Sequence, residues 1–169
     1  KQKKGAFILT AHFGNWEMGG ASIAAHGVPV EVIAQRQRNP LFDADLTANR
    51  NRLGMEVVER RDAPRRVLRA LRSGGAVGIV GDQNVRHGGV FVDFLGRPAS
   101  TAKGAALFAA RTGCPLFVGL AWRKPGFPQR YRMVFERVDF QPTSDLEADV
   151  RRLTEAHTRY LEKGVRLWP

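Results

Sequence analysis

The chain has 169 residues, 43% hydrophobic and 25% charged, which is ordinary for one globular domain with a core of its own. A net charge of +11, carried mostly by arginine, suits an anionic partner (a phospholipid surface, nucleic acid or a phosphorylated substrate) or reflects an arginine-rich composition with solvated charges. One cysteine, Cys114, excludes an intrachain disulfide framework and a multi-cysteine metal site, and no apolar run approaches the roughly 18–20 residues of a membrane span.

Apolar strand-like runs and helical segments alternate along the chain. Ala6–Thr10 reads as a strand and Trp16–His26 as a helix with Asn15 as its N-cap, closed by Gly27 with Pro29 beyond. Val30–Ala34 is the next strand, and Leu41–Leu53 a helix ending at Gly54, the usual place for a left-handed cap. Met55–Glu59 is a strand. Asp62 is the cap expected for a helix opening near Pro64 and ended by Gly74-Gly75. Ala76–Val80 is short, apolar and expected to be buried. Residues 81–101 form a long segment with an internal apolar patch, and segments of that length inside a domain are usually functional. Thr101 is the expected cap of a helix to Thr112. Leu116–Trp122 and Tyr131–Phe140 read as strands joined around Pro125-Gly126, and Ser144-Asp-Leu-Glu147 as a capping box opening a last helix to about Lys163.

This alternation predicts one α/β domain over residues 1–169, with helices covering a largely parallel central sheet. Ligands of such sheets sit at the carboxyl ends of the strands. His12, the Arg36 region and Asp82 each follow a short strand, so they are expected at one crevice.

His12 and Glu17 carry the strongest chemical signal. A hydroxyl that attacks a carbonyl must lose its proton as it does so, and histidine is the usual general base. A carboxylate on the second ring nitrogen fixes the tautomer. On one continuous helix, residues five apart point about 140° away from each other. The pair therefore works only if His12 precedes the helix and Glu17 lies in its first turn, where the dipole favours a carboxylate. On spacing alone, a hydrogen-bonded structural histidine and a dipole-complementing glutamate are the commoner readings.

Other groups are weaker as isolated signals. Arg36 or Arg38, just after a strand, is suited to gripping a phosphate, or is simply part of a solvated basic loop. Arg50 and Arg52 read as surface charges. Asp82, Gln83 and Asn84 have side chains fit to bond sugar hydroxyls or hold an arginine, yet such residues favour turns anyway. Val90–Pro98, which includes Arg97, either lines an acyl-chain tunnel or is a core-packed strand with Gly96-Arg-Pro98 as its turn. His26 and His157 are assigned no chemistry, and Cys114 reads as a small core residue. There is no Gly-x-Ser-x-Gly elbow, no His-Glu-x-x-His, and neither a Walker nor a dinucleotide-binding glycine loop. A non-enzymatic basic module is the other class of reading, but no nucleic-acid reader motif accompanies the charge.

Ala11-His-Phe-Gly-Asn-Trp-Glu17, Arg36 with Asn39-Pro-Leu-Phe-Asp43, Gly81-Asp-Gln83, and Val90–Ala99 with Thr101 follow in the order found in the bacterial lipid A biosynthesis acyltransferases. The chain resembles that family, within the wider lysophospholipid acyltransferase superfamily, over nearly its whole length. The resemblance implies acyl transfer from an acyl carrier protein or coenzyme A thioester to a hydroxyl of a lipid A precursor or related membrane glycolipid. A phosphoinositide mannoside is the neighbouring acceptor. It implies no cofactor beyond that co-substrate, and work at the cytoplasmic face of the bacterial inner membrane, against an anionic lipid surface. By position, His12 is the implied base and Glu17 its partner, with Asn15, Arg36, Asp82, Gln83 and Arg97 on the substrate side. Main-chain amides near Gly14 are the implied oxyanion donors. An N-terminal membrane anchor and a Trp/Arg-rich tail are usual in the family and are expected to lie outside these residues. Leu95 and Asn84 stand where many members have an aromatic and an acidic residue.

Overall fold

The computed structural model describes residues 4–168. The elements run β1 (Ala6–Thr10), α1 (Trp16–Ala25), β2 (Val30–Ala34), α2 (Pro40–Arg52), β3 (Met55–Glu59), α3 (Ala63–Arg72), β4 (Ala76–Val80), β5 (Val90–Phe94), β6 (Arg97–Thr101), α4 (Gly104–Thr112), β7 (Leu116–Lys124), β8 (Arg130–Arg137) and α5 (Leu146–Leu167). Six strands form one sheet in the order β3-β2-β4-β1-β7-β8. All its pairings are parallel except that of β7 with β8. The expected α/β architecture with a largely parallel sheet is the observed one. No helix among the described residues is long and apolar enough to cross a membrane.

The period-2 alternation of the strands splits the core between the two faces of the sheet. Phe7, Leu9, Val77, Leu116 and Val118 point to the face covered by α3, α4 and α5. There they meet Val67, Leu71, Ala106, Leu153 and Leu161, and Phe7 stacks on Phe108. Each fully buried large side chain contributes about 1.5–3 kcal/mol. The opposite face is smaller: Val30, Met55 and Ala76 are buried with Ala21 of α1, and Ile8 and Val32 pack against them.

β1 and β4 are paired in register from Ala6 beside Ala76 to Thr10 beside Val80. Gly81 N–H then donates to the Thr10 carbonyl at 3.0 Å. The two strands therefore end level, and the residues that follow them emerge side by side. β2 lies on the other flank of β4, so the segments after β1, β2 and β4 leave the sheet at the same edge.

Several expected boundaries differ. Thr101 ends β6 instead of capping a helix, and α4 opens after Lys103 without a side-chain cap. Asp145 caps α5, its carboxylate accepting from the amides of Glu147 and Ala148 at 3.0 Å each, so Ser144 is not the cap. α5 continues to Leu167, one helical turn past Lys163. Asp62 stands at the start of α3 but makes no capping bond. Residues 90–101, read as an apolar segment of open role, form the β5–β6 hairpin with Val92 buried. Its turn is Leu95-Gly96, where φ is positive at both residues, and Gly96 N–H donates to Asp93 Oδ1 at 2.9 Å.

Candidate active site

The turn after β1 is fixed by Gly14. Its φ is +61°, and a Cβ there would collide with the Ala121 carbonyl oxygen of β7. Only glycine allows the chain to approach that closely. Asn15 N–H donates to the same carbonyl at 2.9 Å, and the Asn15 side chain accepts from Met18 N–H at 3.1 Å. Asn15 is therefore the expected N-cap, and its own amide is committed to β7, which removes it from the expected oxyanion donors. His12 precedes the helix and Glu17 lies in its first turn, the arrangement the spacing requires.

The carboxylate bonded to the imidazole is Asp82. His12 Nδ1 lies 2.7 Å from Asp82 Oδ1, and His12 N–H donates to Asp82 Oδ2 at 2.9 Å. One carboxylate thus holds both the ring and the backbone of the histidine. With Asp82 ionised, Nδ1 carries the ring proton and Nε2 keeps a free lone pair. The side chains are 40% and 27% exposed, so the pair opens to solvent. Trp16 packs edge-on against the imidazole with ring centroids 4.9 Å apart, limiting its tilt.

Glu17 is held elsewhere. Its carboxylate accepts from Arg50 Nη2 at 2.6 Å and from Arg50 Nε at 3.0 Å, a two-pronged fork. Arg50 is only 16% exposed, which corrects its reading as a surface charge. The pair ties α1 to α2, whose residues include none that is fully buried.

Beneath α1 runs a narrow apolar trough with a cavity volume of about 70 Å³. Ile8, Val32, Gly78 and Ala121 lie along its sheet side, with Gly19 and Ile23 of α1 above. Thr10, Trp16 and Val80 mark the end beside His12, and Val30 and Met55 the far end. Missing side chains make the space. A Cβ at Gly19 would meet only the Ala121 Cβ at 4.0 Å, and one at Gly78 would come within 3.5 Å of Val32 Cγ1. No residue of 87–98 lines this trough. The hairpin packs on α5 instead, where Leu95 N–H donates to Glu162 at 3.3 Å and Arg151 to the Phe91 carbonyl at 3.4 Å. Its apolar residues are therefore not the walls of a tunnel under α1.

The remaining expected site residues are more open. Arg36 is 70% exposed and 3.7 Å from Asp43, and Asp43 also accepts from Gln37 N–H at 2.8 Å. Gln83 is exposed beside Asp82, and Arg97 is exposed at the start of β6. Asn84 joins the two segments by accepting from Ser100 N–H at 3.2 Å. Among the described residues no group of three or more His, Cys, Asp or Glu side chains could hold a metal ion.

The family model of the bacterial lipid A biosynthesis acyltransferases matches residues 1–169. The chain belongs to that family. Curated relatives of this acyltransferase-family chain include a phosphatidylinositol mannoside acyltransferase of Mycolicibacterium smegmatis, 26% identical over 123 residues, which are 70% of this chain and 40% of that protein. Another, of Mycobacterium tuberculosis H37Rv, is 27% identical over 122 residues, 70% of this chain and 39% of that protein. The match thus spans about two-fifths of the length of these relatives.

Proposed function

We propose that this lipid A acyltransferase-family domain moves a fatty acyl group from an acyl thioester to a hydroxyl of a membrane glycolipid, with His12 as general base oriented by Asp82. The observation that carries the reading is the 2.7 Å His12–Asp82 contact next to the Thr10, Trp16 and Val80 end of the apolar trough. A base held by a carboxylate sits next to an apolar groove from which an acyl tail can start.

The acceptor hydroxyl gives its proton to His12 Nε2 as its oxygen attacks the thioester carbonyl. The tetrahedral intermediate collapses, the carbon–sulfur bond breaks, and the thiolate leaves. The imidazolium returns its proton to that sulfur. No covalent acyl-enzyme is needed, and the ionised Asp82 stabilises the imidazolium between the two steps. Glu17 acts one step removed: by holding Arg50 it keeps α1 and α2 over the trough. Arg36 is placed after β2, where it meets a phosphate of the acceptor or donor; Gln83 and Arg97 are the further substrate contacts of this reading. The donor is an acyl carrier protein or coenzyme A thioester, and the work is done at the cytoplasmic face of the inner membrane.

Two acceptors fit the family. A lipid A precursor is the one its name suggests. A phosphoinositide mannoside is the second reading, favoured by the names of the mycobacterial relatives. Incubation with labelled acyl donors and both acceptors decides between them. H12A is expected to abolish transfer with the fold intact, and undiminished turnover would overturn the assignment.

A further inference from the structure

The edge of the sheet that carries His12 also carries apolar side chains that the acyl-transfer site does not use. α2 opens with Leu41, 81% exposed, and Phe42, 56% exposed. On the other side, the turn between β7 and β8 carries Phe127, 97% exposed. β7 is parallel to β1, and its Ala121 lies level with Gly14. Three further residues, about 10 Å of strand, take the chain beyond that level before the turn. The turn therefore stands above the histidine like a finger.

Basic residues lie beside both apolar points, with Asp43, which pairs with Arg36, following Phe42. Residues 119–135 hold Arg123, Lys124, Arg130 and Arg132 with no acidic residue, and Arg36 and Arg38 precede Leu41. Arg123, Lys124 and Arg130 are exposed and make no ion pair among the described residues. Arg132 lies over the Trp122 ring at 5.8 Å.

We propose that this edge is the face by which the domain docks on an anionic lipid bilayer, with Phe127 and the Leu41-Phe42 pair as apolar anchors flanking the mouth of the site. Positive residues beside exposed aromatic and aliphatic tips are what an anionic interface rewards. The spacing separates a bilayer from an acidic protein partner. β2, which feeds α2, and β7 are three strand positions apart, about 14 Å. The tips are thus scattered points, not the contiguous apolar patch at the core of a protein interface. A bilayer accepts scattered insertions. Docking in this pose sets the His12 edge against the plane in which a lipid hydroxyl lies.

The test is co-flotation of the chain with vesicles of phosphatidylglycerol and phosphatidylethanolamine, or of phosphatidylcholine alone, with no acyl donor present. Its outcome is therefore separate from that of the acyl-transfer reading. Wild type is expected to float with the anionic vesicles and to be released by high salt. F127S is expected to weaken binding about tenfold, and R123Q/K124Q about fivefold for each charge removed. L41S/F42S should weaken it comparably to F127S. These side chains are exposed, so melting curves should match wild type. A probe on F127C in a C114S background should shift to the blue on anionic vesicles. Equal flotation with neutral vesicles, or wild-type binding by F127S and L41S/F42S, overturns the proposal. So does loss of binding to an acidic carrier protein with vesicle binding unchanged.

Discussion

Two carboxylate pairs stand at the start of α1, and they are built differently. His12 and Asp82 meet in the open, on two loops that leave adjacent parallel strands. Glu17 and Arg50 meet as a fork between two helices, with the guanidinium largely enclosed. The first pair leaves one ring nitrogen free for a substrate. The second spends its donors and acceptors on each other. Similar charges a few residues apart thus divide into a group able to do chemistry and a group that holds its scaffold.

The largest expected effect follows from the open pair. H12A removes the proposed base, and a fall of about 10³-fold or more in kcat is expected with little change in Tm, since general-base contributions run to about 10²–10⁴. D82N keeps the shape but loses the charge that sets the tautomer, and kcat should fall about 10²-fold or more. Steady-state rates and calorimetric melting on the same preparations check both.

The enclosed pair should respond in stability. R50M leaves Glu17 without its partner and is expected to cost about 1–2 kcal/mol, the buried-pair figure reduced for the exposed part of the carboxylate. Denaturant titration reads this directly. A smaller effect is expected in the trough that the helix covers. G19L places a side chain between α1 and Ala121, so long-chain donors should lose about tenfold against short-chain ones, as measured over a donor series at fixed acceptor.

His157 is a contrast within the core. It is fully buried on α5, and neither ring nitrogen has a partner among the described residues. Burial holds its pKa down, to about 4 from 6.5. The folded chain therefore keeps it neutral while the unfolded chain protonates it below about 6.5. Its stability is full above that pH and falls as pH drops toward 4, by on the order of 3 kcal/mol. H157L, which removes the group, should flatten this acid dependence in pH-resolved melting, with stability at neutral pH unchanged or higher.

Much of the fold was legible because apolar runs alternate with glycine and proline stops. Gly54, at positive φ, follows α2 where the sequence suggested, and α4 ends at Thr112 as expected, with Gly113 at positive φ as its cap. The β5–β6 hairpin was only half legible, since Arg97-Pro-Ala-Ser-Thr101 carries no apolar alternation and becomes a strand through its partner β5. The site followed the same division. Asn15 as a cap and Glu17 in the first turn are local facts, and spacing exposes them. Which carboxylate reaches the imidazole depends on the β1–β4 register, which joins residues 70 apart. Asp82 was visible as a polar residue after a strand, yet only strand order brings it to His12. Arg50 on Glu17 is likewise a contact between helices 33 residues apart, and nothing in its neighbours announces it.

The most direct test of the division between the pairs is the pH dependence of kcat for D82N and E17Q, measured beside wild type with both variants shown to be folded. D82N is expected to cut kcat sharply and move the limb that reports His12, while E17Q lowers Tm and leaves that limb where it is. A folded E17Q that loses turnover and shifts the limb, beside a D82N close to wild type, would contradict the assignment of Asp82 as the partner of the base.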